Sequence, residues 1–209
     1  VGYLALEDNT TGGGNVAIGK DSLRTNTTGG NNVAIGLNSL EINTASNNTA
    51  VGNNSLIANT TGSENVAVGA LALDANTTAN DNTAVGYGAL SANTTGASNS
   101  VLGAYALDGN TTGANNVAIG RASLGANTTA NNNTAVGYNS LTANTTGAEN
   151  TAIGANALDA NTTAQRNTAV GHNNMTATTT GSYNSALGNQ VLLVNTVGTE
   201  NSAVGYRAM

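Results

Sequence analysis

A glycine recurs at an almost constant interval of seventeen residues along the whole chain, and this period constrains the fold more than any other feature of the sequence. The recurrence runs from Gly2 to Gly205, and a single interval, from Gly36 to Gly52, is one residue shorter than the others. The consensus unit reads Asn, then Thr, Val or Ser, then Ala, then Val or Ile, then Gly, with Leu or Met four residues later and an Asn-Thr pair beyond it. A unit this short cannot bury its own apolar side chains, so successive units must stack on one another.

The stacked unit is predicted to be one coil of a parallel β-solenoid and not a helical repeat. Gly and the Asn-Thr-Thr segment disfavour a helix, whereas the residues before each Gly alternate as a strand does, with the Ala on one side and its two neighbours on the other. We therefore expect an all-β parallel β-solenoid, or β-roll, of about twelve coils of seventeen residues each, forming a rod of roughly 55–60 Å. Residues 1–209 are expected to be a single repeat array without separate domains, and a segment of a longer solenoid because both ends cut the unit without a polar cap.

The residue types that recur from coil to coil predict the interior. Leu or Met lies four residues after each Gly and Val, Ile or Leu lies just before it, and we expect both columns to be buried and the Ala column to face outward. Asn lies four residues before each Gly and, except at Thr178, seven residues after it. Stacked amides can donate to one neighbour and accept from the other as a ladder. The short unit lacks its residue between Asn43 and Asn48, so we expect an irregular corner there and no break in the stack.

Composition agrees with a thin interior and excludes several classes of protein. The chain has 27 Gly, 37 Asn and 32 Thr, but no Pro, Cys, Trp or Phe. The absence of Cys excludes disulfide scaffolds and thiolate metal sites, and no apolar run approaches the ~20 residues of a membrane helix. Five Lys and Arg against eleven Asp and Glu argue against a nucleic-acid partner. We expect this segment neither to bind nucleic acid nor to insert into a membrane.

Side chains that could carry catalysis or bind a metal are few and scattered. His172 is the single His and lies at a variable position, which favours an exposed surface residue over an acid-base group. Glu64 and Asp81 stack in adjacent coils, but two carboxylates fall short of the six to eight oxygen ligands that Ca²⁺ prefers. Glu149 and Arg166 are expected to form an exposed ion pair. We therefore predict no enzymatic activity, no cofactor and no metal.

The strand motif resembles that of a known family. The segments Asn15–Gly19, Asn32–Gly36 and Asn116–Gly120 all read Asn-Val-Ala-Ile-Gly. They resemble the head repeats of trimeric autotransporter adhesins and the Asn-Thr-Ala-Val-Gly arrays of phage tail fibres and related bacterial surface proteins. The resemblance implies a left-handed parallel β-roll, usually a homotrimer, that stands off a cell or virion surface and contacts host ligands. The period here is longer than in the adhesin heads, and the extra residues fall in the Ala-Asn-Thr-Thr-Gly corner.

These observations favour a structural and adhesive segment of an extracellular or virion fibre. The expected partners are further copies of the chain, with a homotrimer implied by the resemblance, and a glycan or protein receptor on a host surface. Tyr residues at variable outward positions could stack on sugar rings, although scattered exposed aromatic residues are the alternative interpretation. The candidate receptor contacts are Tyr87, Tyr105 and Tyr138.

The Asn-Thr-Thr corners suggest a second function, ice binding, because regular ranks of Thr resemble those of β-solenoid ice-binding proteins. The alternative is that these residues serve the turn and its internal hydrogen bonds. The same triplets are formal glycosylation sequons, but glycans on every coil would clash at strand spacing. The candidate ladder or ice-binding face comprises Asn59, Thr60, Thr61, Asn76, Thr77, Thr78, Asn93, Thr94, Thr95, Asn110, Thr111, Thr112, Asn127, Thr128, Thr129, Asn144, Thr145 and Thr146.

Overall fold

Twelve three-residue β-strands, one in each coil, are the regular elements of the computed structural model, which describes residues 1–209. Each strand pairs in parallel with the next along the chain, so that all twelve form one sheet in the order β1 to β12. The fold is an all-β parallel β-solenoid, which confirms the prediction from the period. The strands are β1 (Val16–Ile18), β2 (Val33–Ile35), β3 (Thr49–Val51), β4 (Val66–Val68), β5 (Thr83–Val85), β6 (Ser100–Leu102), β7 (Val117–Ile119), β8 (Thr134–Val136), β9 (Thr151–Ile153), β10 (Thr168–Val170), β11 (Ser185–Leu187) and β12 (Ser202–Val204).

Equivalent residues of successive coils pair with one another around the rod. The short unit does not disturb this register, since Ala34 of β2 pairs with Ala50 of β3 and Ala50 pairs with Ala67 of β4. Only 22 of the 125 backbone hydrogen bonds lie within the strands, and most of the others join neighbouring coils elsewhere, as from Leu141 N to Ala157 O at 3.0 Å. The stack is therefore held together around its perimeter and not by the sheet alone.

Each coil buries the central residue of its strand, which is Ala everywhere except at Val101 of β6, and the Leu or Met beyond the Gly corner. Ala135 and Leu141 are both fully buried, which confirms the prediction for the Leu and Met column. The prediction for the strand was wrong, because the Ala column faces inward and the flanking residues face outward, with Ile18 45% and Leu102 52% exposed. Alternation places the two sets on opposite sides but does not say which side is inside. The Leu column and buried Asn side chains fill the interior, and every strand except β6 contributes only a methyl group.

The Leu column has a left-handed backbone, which explains its restriction to Leu and Met. The dihedral φ is +52° at Leu141, +51° at Leu158 and +54° at Met175. A β-branched side chain is strongly disfavoured at positive φ because its second γ atom crowds the backbone. Ile and Val could fill the same volume, but they do not occur at this position in any coil.

The Gly that defines the period is required by both backbone conformation and crowding. At Gly137, φ is +137°, and a Cβ atom there would lie 2.5 Å from the carbonyl oxygen of Gly154 in the next coil. L residues rarely adopt this conformation, and no side chain fits in the gap. The Gly column therefore marks a corner at which the next coil leaves no room for a side chain.

Candidate functional site

The Asn residues of the corners form a buried ladder along the rod axis. This corner ladder consists of the Asn seven residues after each Gly, from Asn9 to Asn195. Between Asn43 and Asn161 each Nδ2 donates to the Oδ1 of the Asn one coil earlier, at 2.7–3.0 Å. The Asn members of the proposed face are fully buried, so they belong to the interior and are not displayed on the surface. They are Asn59, Asn76, Asn93, Asn110, Asn127 and Asn144.

A second buried column, the strand ladder, consists of the Asn four residues before each Gly, from Asn15 to Asn201. Its side-chain oxygens accept backbone N–H bonds from the next Asn of the column, as from Asn82 N to Asn65 Oδ1 at 3.0 Å. Both ladders converge on one carbonyl in most coils: Ala79 O accepts from Asn76 Nδ2 at 3.1 Å and from Asn65 Nδ2 at 2.8 Å. The predicted amide ladders are thus present, and they satisfy most of the buried Asn side chains of the interior.

The corner ladder is interrupted at two places, and each leaves an unpartnered oxygen. In the short coil, Asn43 Nδ2 donates to Ala45 O at 2.8 Å and does not reach Asn26, whose Oδ1 is buried without a hydrogen-bond partner. Thr178 replaces Asn in a later coil, and the Oδ1 of Asn161 is buried without a partner. The strands on either side of both irregular coils stay paired in register, so the defects are confined to the corner.

The two Thr columns of the corners differ in exposure and in hydrogen bonding. The first is mostly half-buried, and its hydroxyls donate to the Thr carbonyl of the next coil, as from Thr60 Oγ1 to Thr77 O at 2.9 Å. The second is exposed. The corner therefore presents one exposed column of Thr beside a half-buried one. The Asn side chains are buried beneath them, which supports the interpretation that the Asn residues serve the turn and its internal hydrogen bonds. The half-buried residues are Thr60, Thr77, Thr94, Thr111 and Thr145; the exposed ones are Thr61, Thr78, Thr95, Thr112, Thr128, Thr129 and Thr146.

An uncharged, partly apolar surface lies on the sheet, where no candidate residue was predicted. We define the strand face as the first and third residues of β1–β12, which point outward. The third residue is Val, Ile or Leu in every strand, the first is Val, Thr or Ser, and no residue of either column is charged. Shallow apolar depressions lie over β5–β7 and over β10–β12. Sequence reasoning missed this surface because it assigned the Val and Ile column to the interior.

Two of the three candidate Tyr residues are in contact. The rings of Tyr87 and Tyr105 pack edge to face, with centroids 5.3 Å apart and planes inclined at 74°. They occupy neighbouring columns of adjacent coils, so neither column by itself reveals the contact. Tyr138 is half-exposed and lies two coils beyond Tyr105, about 10 Å away along the rod.

Charged side chains form rungs between coils on the outer surface. Arg166 Nε contacts Glu149 Oε2 at 2.7 Å, as predicted, and Arg166 also donates to the Tyr183 hydroxyl at 2.7 Å. The Arg166 guanidinium lowers the pKa of Glu149 through this hydrogen bond and its charge. Arg24 bridges Glu7 at 3.2 Å and Glu41 at 3.7 Å. Because water screens these exposed pairs, they contribute little to the stability of the rod.

Three carboxylates share a half-buried column five residues after Gly. Burial raises the pKa of Asp74, Asp108 and Asp159 above the ordinary Asp value, and backbone hydrogen bonds only partly oppose this effect. They are not in adjacent coils, and no group of three or more His, Cys, Asp or Glu in the structure could hold a metal ion. His172 is exposed, with Nδ1 3.5 Å from Asn189 Nδ2.

Comparisons with protein-family models, with curated proteins and with solved structures found no match. The structure contains no helix that is both long and apolar enough to span a membrane. The function of the chain therefore has to be inferred from the construction of the rod and from its surfaces.

Proposed function

We propose that this chain is a structural and adhesive segment of an extracellular or virion fibre. The observation that carries the proposal is the separation of a repetitive interior from a variable exterior. Inside, the ladders and the Ala and Leu columns repeat in nearly every coil. All of the charged residues occupy the variable columns outside the strand face and the Asn-Thr-Thr corners. Such a rod keeps its length and stiffness while its outer surface changes.

The continuity of the hydrogen bonding supports a mechanical role. Every coil is joined to the next by strand pairing and by a bond between strand-ladder residues such as Asn82 and Asn65. Almost every coil adds a Thr hydroxyl bond such as that from Thr94 to Thr111 O at 3.0 Å. Local opening of one coil therefore requires several buried bonds to break together, which opposes both unfolding and proteolysis.

The partners of the segment would be further copies of the chain and a receptor on a host surface. The Tyr87–Tyr105 pair is the strongest candidate receptor contact, because two half-exposed rings packed edge to face present an aromatic surface that bears polar hydroxyls. A sugar ring of a surface glycan offers the matching combination of C–H faces and hydroxyl groups. Tyr138 would contact the same extended glycan further along the rod.

Two measurements test this function. Native-state digestion by proteinase K should leave the chain intact under conditions that degrade a heat-unfolded sample within minutes, and equally rapid digestion of both would contradict the structural role. Binding to a glycan array should be lost in a Tyr87→Ala, Tyr105→Ala variant and retained in a Thr95→Ala, Thr112→Ala control. Equal binding by both variants would exclude the aromatic pair as the receptor contact.

Ice binding is a second candidate function, and the strand face is the observation that favours it. The face is regular and uncharged, and Thr occupies its first column in three consecutive strands, at Thr134, Thr151 and Thr168. Thermal hysteresis of a freezing solution tests this function directly. Thr151→Tyr should abolish the hysteresis if the strand face binds ice, whereas Thr146→Tyr should abolish it if the corner does. The absence of hysteresis in the wild-type chain would exclude ice binding.

A further inference from the structure

The two residues that follow each Gly form two neighbouring columns on the outer surface, and the Tyr87–Tyr105 pair lies in them. Backbone bonds join the second column to the first column of the preceding coil, from Tyr105 N to Tyr87 O at 3.0 Å and from Asn139 N to Arg121 O at 3.1 Å, and keep the coils at strand spacing. Arg121 therefore lies in the coil between those of Tyr105 and Tyr138. We define the tyrosine patch as these two columns in four successive coils, residues 87–88, 104–105, 121–122 and 138–139.

Arg121 is the only one of the five Lys and Arg residues whose side chain has no partner in the structure. Lys20, Arg24 and Arg166 each lie 2.7–3.4 Å from a carboxylate oxygen, and Arg207 donates to a Gln side chain of the adjacent coil at 2.8 Å. Arg121 is exposed, and its guanidinium forms neither an ion pair nor a side-chain hydrogen bond. All of its donors are therefore available to a ligand.

The surroundings of Arg121 are uncharged, although the whole chain carries a net charge of −6. On one side of the tyrosine patch lie the Gly corner and the apolar third residues of the strands, and on the other lies a buried column of Ala and Ser. The acidic side chains nearest in sequence, Asp108 and Glu149, belong to other columns. The patch is therefore a local site of positive charge on an acidic molecule, and it attracts an anionic group.

The side chains around Arg121 leave open space in front of it. The Tyr105 ring lies over Gly88 of the preceding coil, where a Cβ atom would be 3.4 Å from Tyr105 Cδ1, so this ring leans away from the coil of Arg121. In the first column Ala104, with only a methyl group, separates Tyr87 from Arg121. The two larger side chains are thus two coils apart, about 10 Å, which is the length of a disaccharide.

Asn139 adds a second polar group that is not used within the rod. Other Asn residues of its column are paired with each other, Asn38 Nδ2 with Asn54 Oδ1 at 3.0 Å and Asn156 Nδ2 with Asn173 Oδ1 at 3.1 Å. The Asn139 amide forms no side-chain hydrogen bond and is half-buried. Its donor and acceptor groups match the hydroxyls of a sugar that rests on the neighbouring Tyr ring.

We propose that the tyrosine patch binds an acidic glycan, with sugar rings against the Tyr rings and a sugar carboxylate on the Arg121 guanidinium. A planar guanidinium matches a carboxylate through two parallel N–H···O bonds. The inference rests on the proposed adhesive function and names the class of its receptor, a glycan whose sugars carry carboxylate groups, as uronic acids and sialic acids do.

Matched pairs of glycans test the proposal. The probes are oligosaccharides that contain uronic or sialic acid, each printed on an array beside its carboxyl-reduced counterpart, in which a CH₂OH group replaces the carboxylate. The full chain should bind the acidic member roughly 5-fold more tightly than the reduced one. This preference should decrease as the salt concentration is raised, because the contact is partly exposed.

Two variants assign the preference to one side chain. Arg121→Gln should abolish the preference for the acidic member and leave binding of the reduced member unchanged, because it removes the charge and keeps the Tyr rings. Arg166→Gln is the matched control, since it makes the same change at an Arg that is already paired with Glu149, and it should keep the preference. Circular dichroism confirms that both variants fold.

Three results would overturn the inference and leave the adhesive function standing. The first is equal binding of the acidic and reduced members by the wild-type chain, and the second is a preference that survives Arg121→Gln. The third is an equal loss of preference in Arg166→Gln, which would assign it to the net charge of the rod. A chain that binds neither member of any pair would contradict the inference together with the aromatic receptor contact, whereas the structural role is contradicted only by rapid native-state proteolysis.

Discussion

Restoring Asn at position 178 is expected to stabilise the C-terminal coils. In Thr178→Asn, Nδ2 would donate to the orphaned Oδ1 of Asn161 and to Gly181 O, which now accepts a single amide bond, from Asn167 Nδ2. The new Oδ1 would accept from Asn195 Nδ2. The bond from Thr178 Oγ1 to Asn195 O, at 2.9 Å, would be lost. The net gain is two hydrogen bonds, or about 2 kcal/mol at about 1 kcal/mol each.

Hydrogen exchange is the appropriate assay, because repeat arrays open locally and a single melting temperature averages over the coils. A gain of about 2 kcal/mol corresponds to roughly 30-fold slower exchange for amides in the coils around position 178. Thr180→Asn is the matched control, since it makes the same chemical change at an exposed position that cannot reach the ladder.

The reverse substitution extends the test to a regular coil. Asn127→Thr would remove the amide bonds to Asn110 Oδ1 and Ala130 O, both now satisfied at 2.9–3.1 Å, and should speed exchange there by at least as much. Unchanged exchange in Thr178→Asn, or equal changes in Thr178→Asn and Thr180→Asn, would refute the claim that the corner ladder stabilises the rod.

Three further substitutions test separate parts of the structure. Gly137→Ala should destabilise the rod by about 3 kcal/mol or more, because its Cβ would clash with a carbonyl of the next coil at positive φ; Gly13→Ala, with open space at its Cβ, should change the unfolding midpoint in urea little. Leu141→Ile should lower that midpoint far more than Leu141→Met, by about 2 kcal/mol in free energy, because a β-branched residue is disfavoured at φ +52°. Asp74→Asn should raise the melting temperature at pH 7 but not at pH 3. Burial raises the pKa of Asp74 in the folded state, so ionisation of Asp74 destabilises the fold as the pH rises through that pKa. At pH 3 the carboxyl is protonated, and this loss of stability is absent. An equal gain at both pH values would show that ionisation of Asp74 is not the cause.

The period and the residue columns predicted the coil, the strand and the parallel register, because a repeat that buries nothing alone has few ways to stack. They also predicted the amide ladders, since Asn at one position in successive coils requires a partner at strand spacing. The position of the short coil's defect followed from the missing residue between Asn43 and Asn48. These features depend on spacing along the chain, which is visible in the sequence.

The orientation of the strand could not be predicted by the same reasoning. Alternation separates Ala135 from Thr134 and Val136, but the assignment of one set to the interior depends on how much space the other buried side chains leave. In the structure the Leu column and the two Asn ladders occupy the interior, and the strand side chain beside them is Ala in every strand except β6. The sequence pattern alone does not reveal how much interior space these columns leave.

The candidate surface residues were predicted less well than the interior. Exposure of Thr61 and use of the Thr60 hydroxyl within the rod depend on the geometry of the corner, because adjacent residues there do not simply alternate. The Tyr87–Tyr105 contact joins different columns of adjacent coils, so predicting it requires knowledge of how neighbouring coils are offset. The proposed binding function depends on these outer positions, and their three-dimensional arrangement has to be observed.

Small-angle X-ray scattering from the full chain tests the central claim most directly, because it reports the length and the thickness of the particle together. We predict a particle with a maximum dimension of about 55–60 Å along the rod axis and the narrow cross-section of a solenoid. A particle several times longer, or a scattering profile of an expanded chain, would contradict a rigid solenoid.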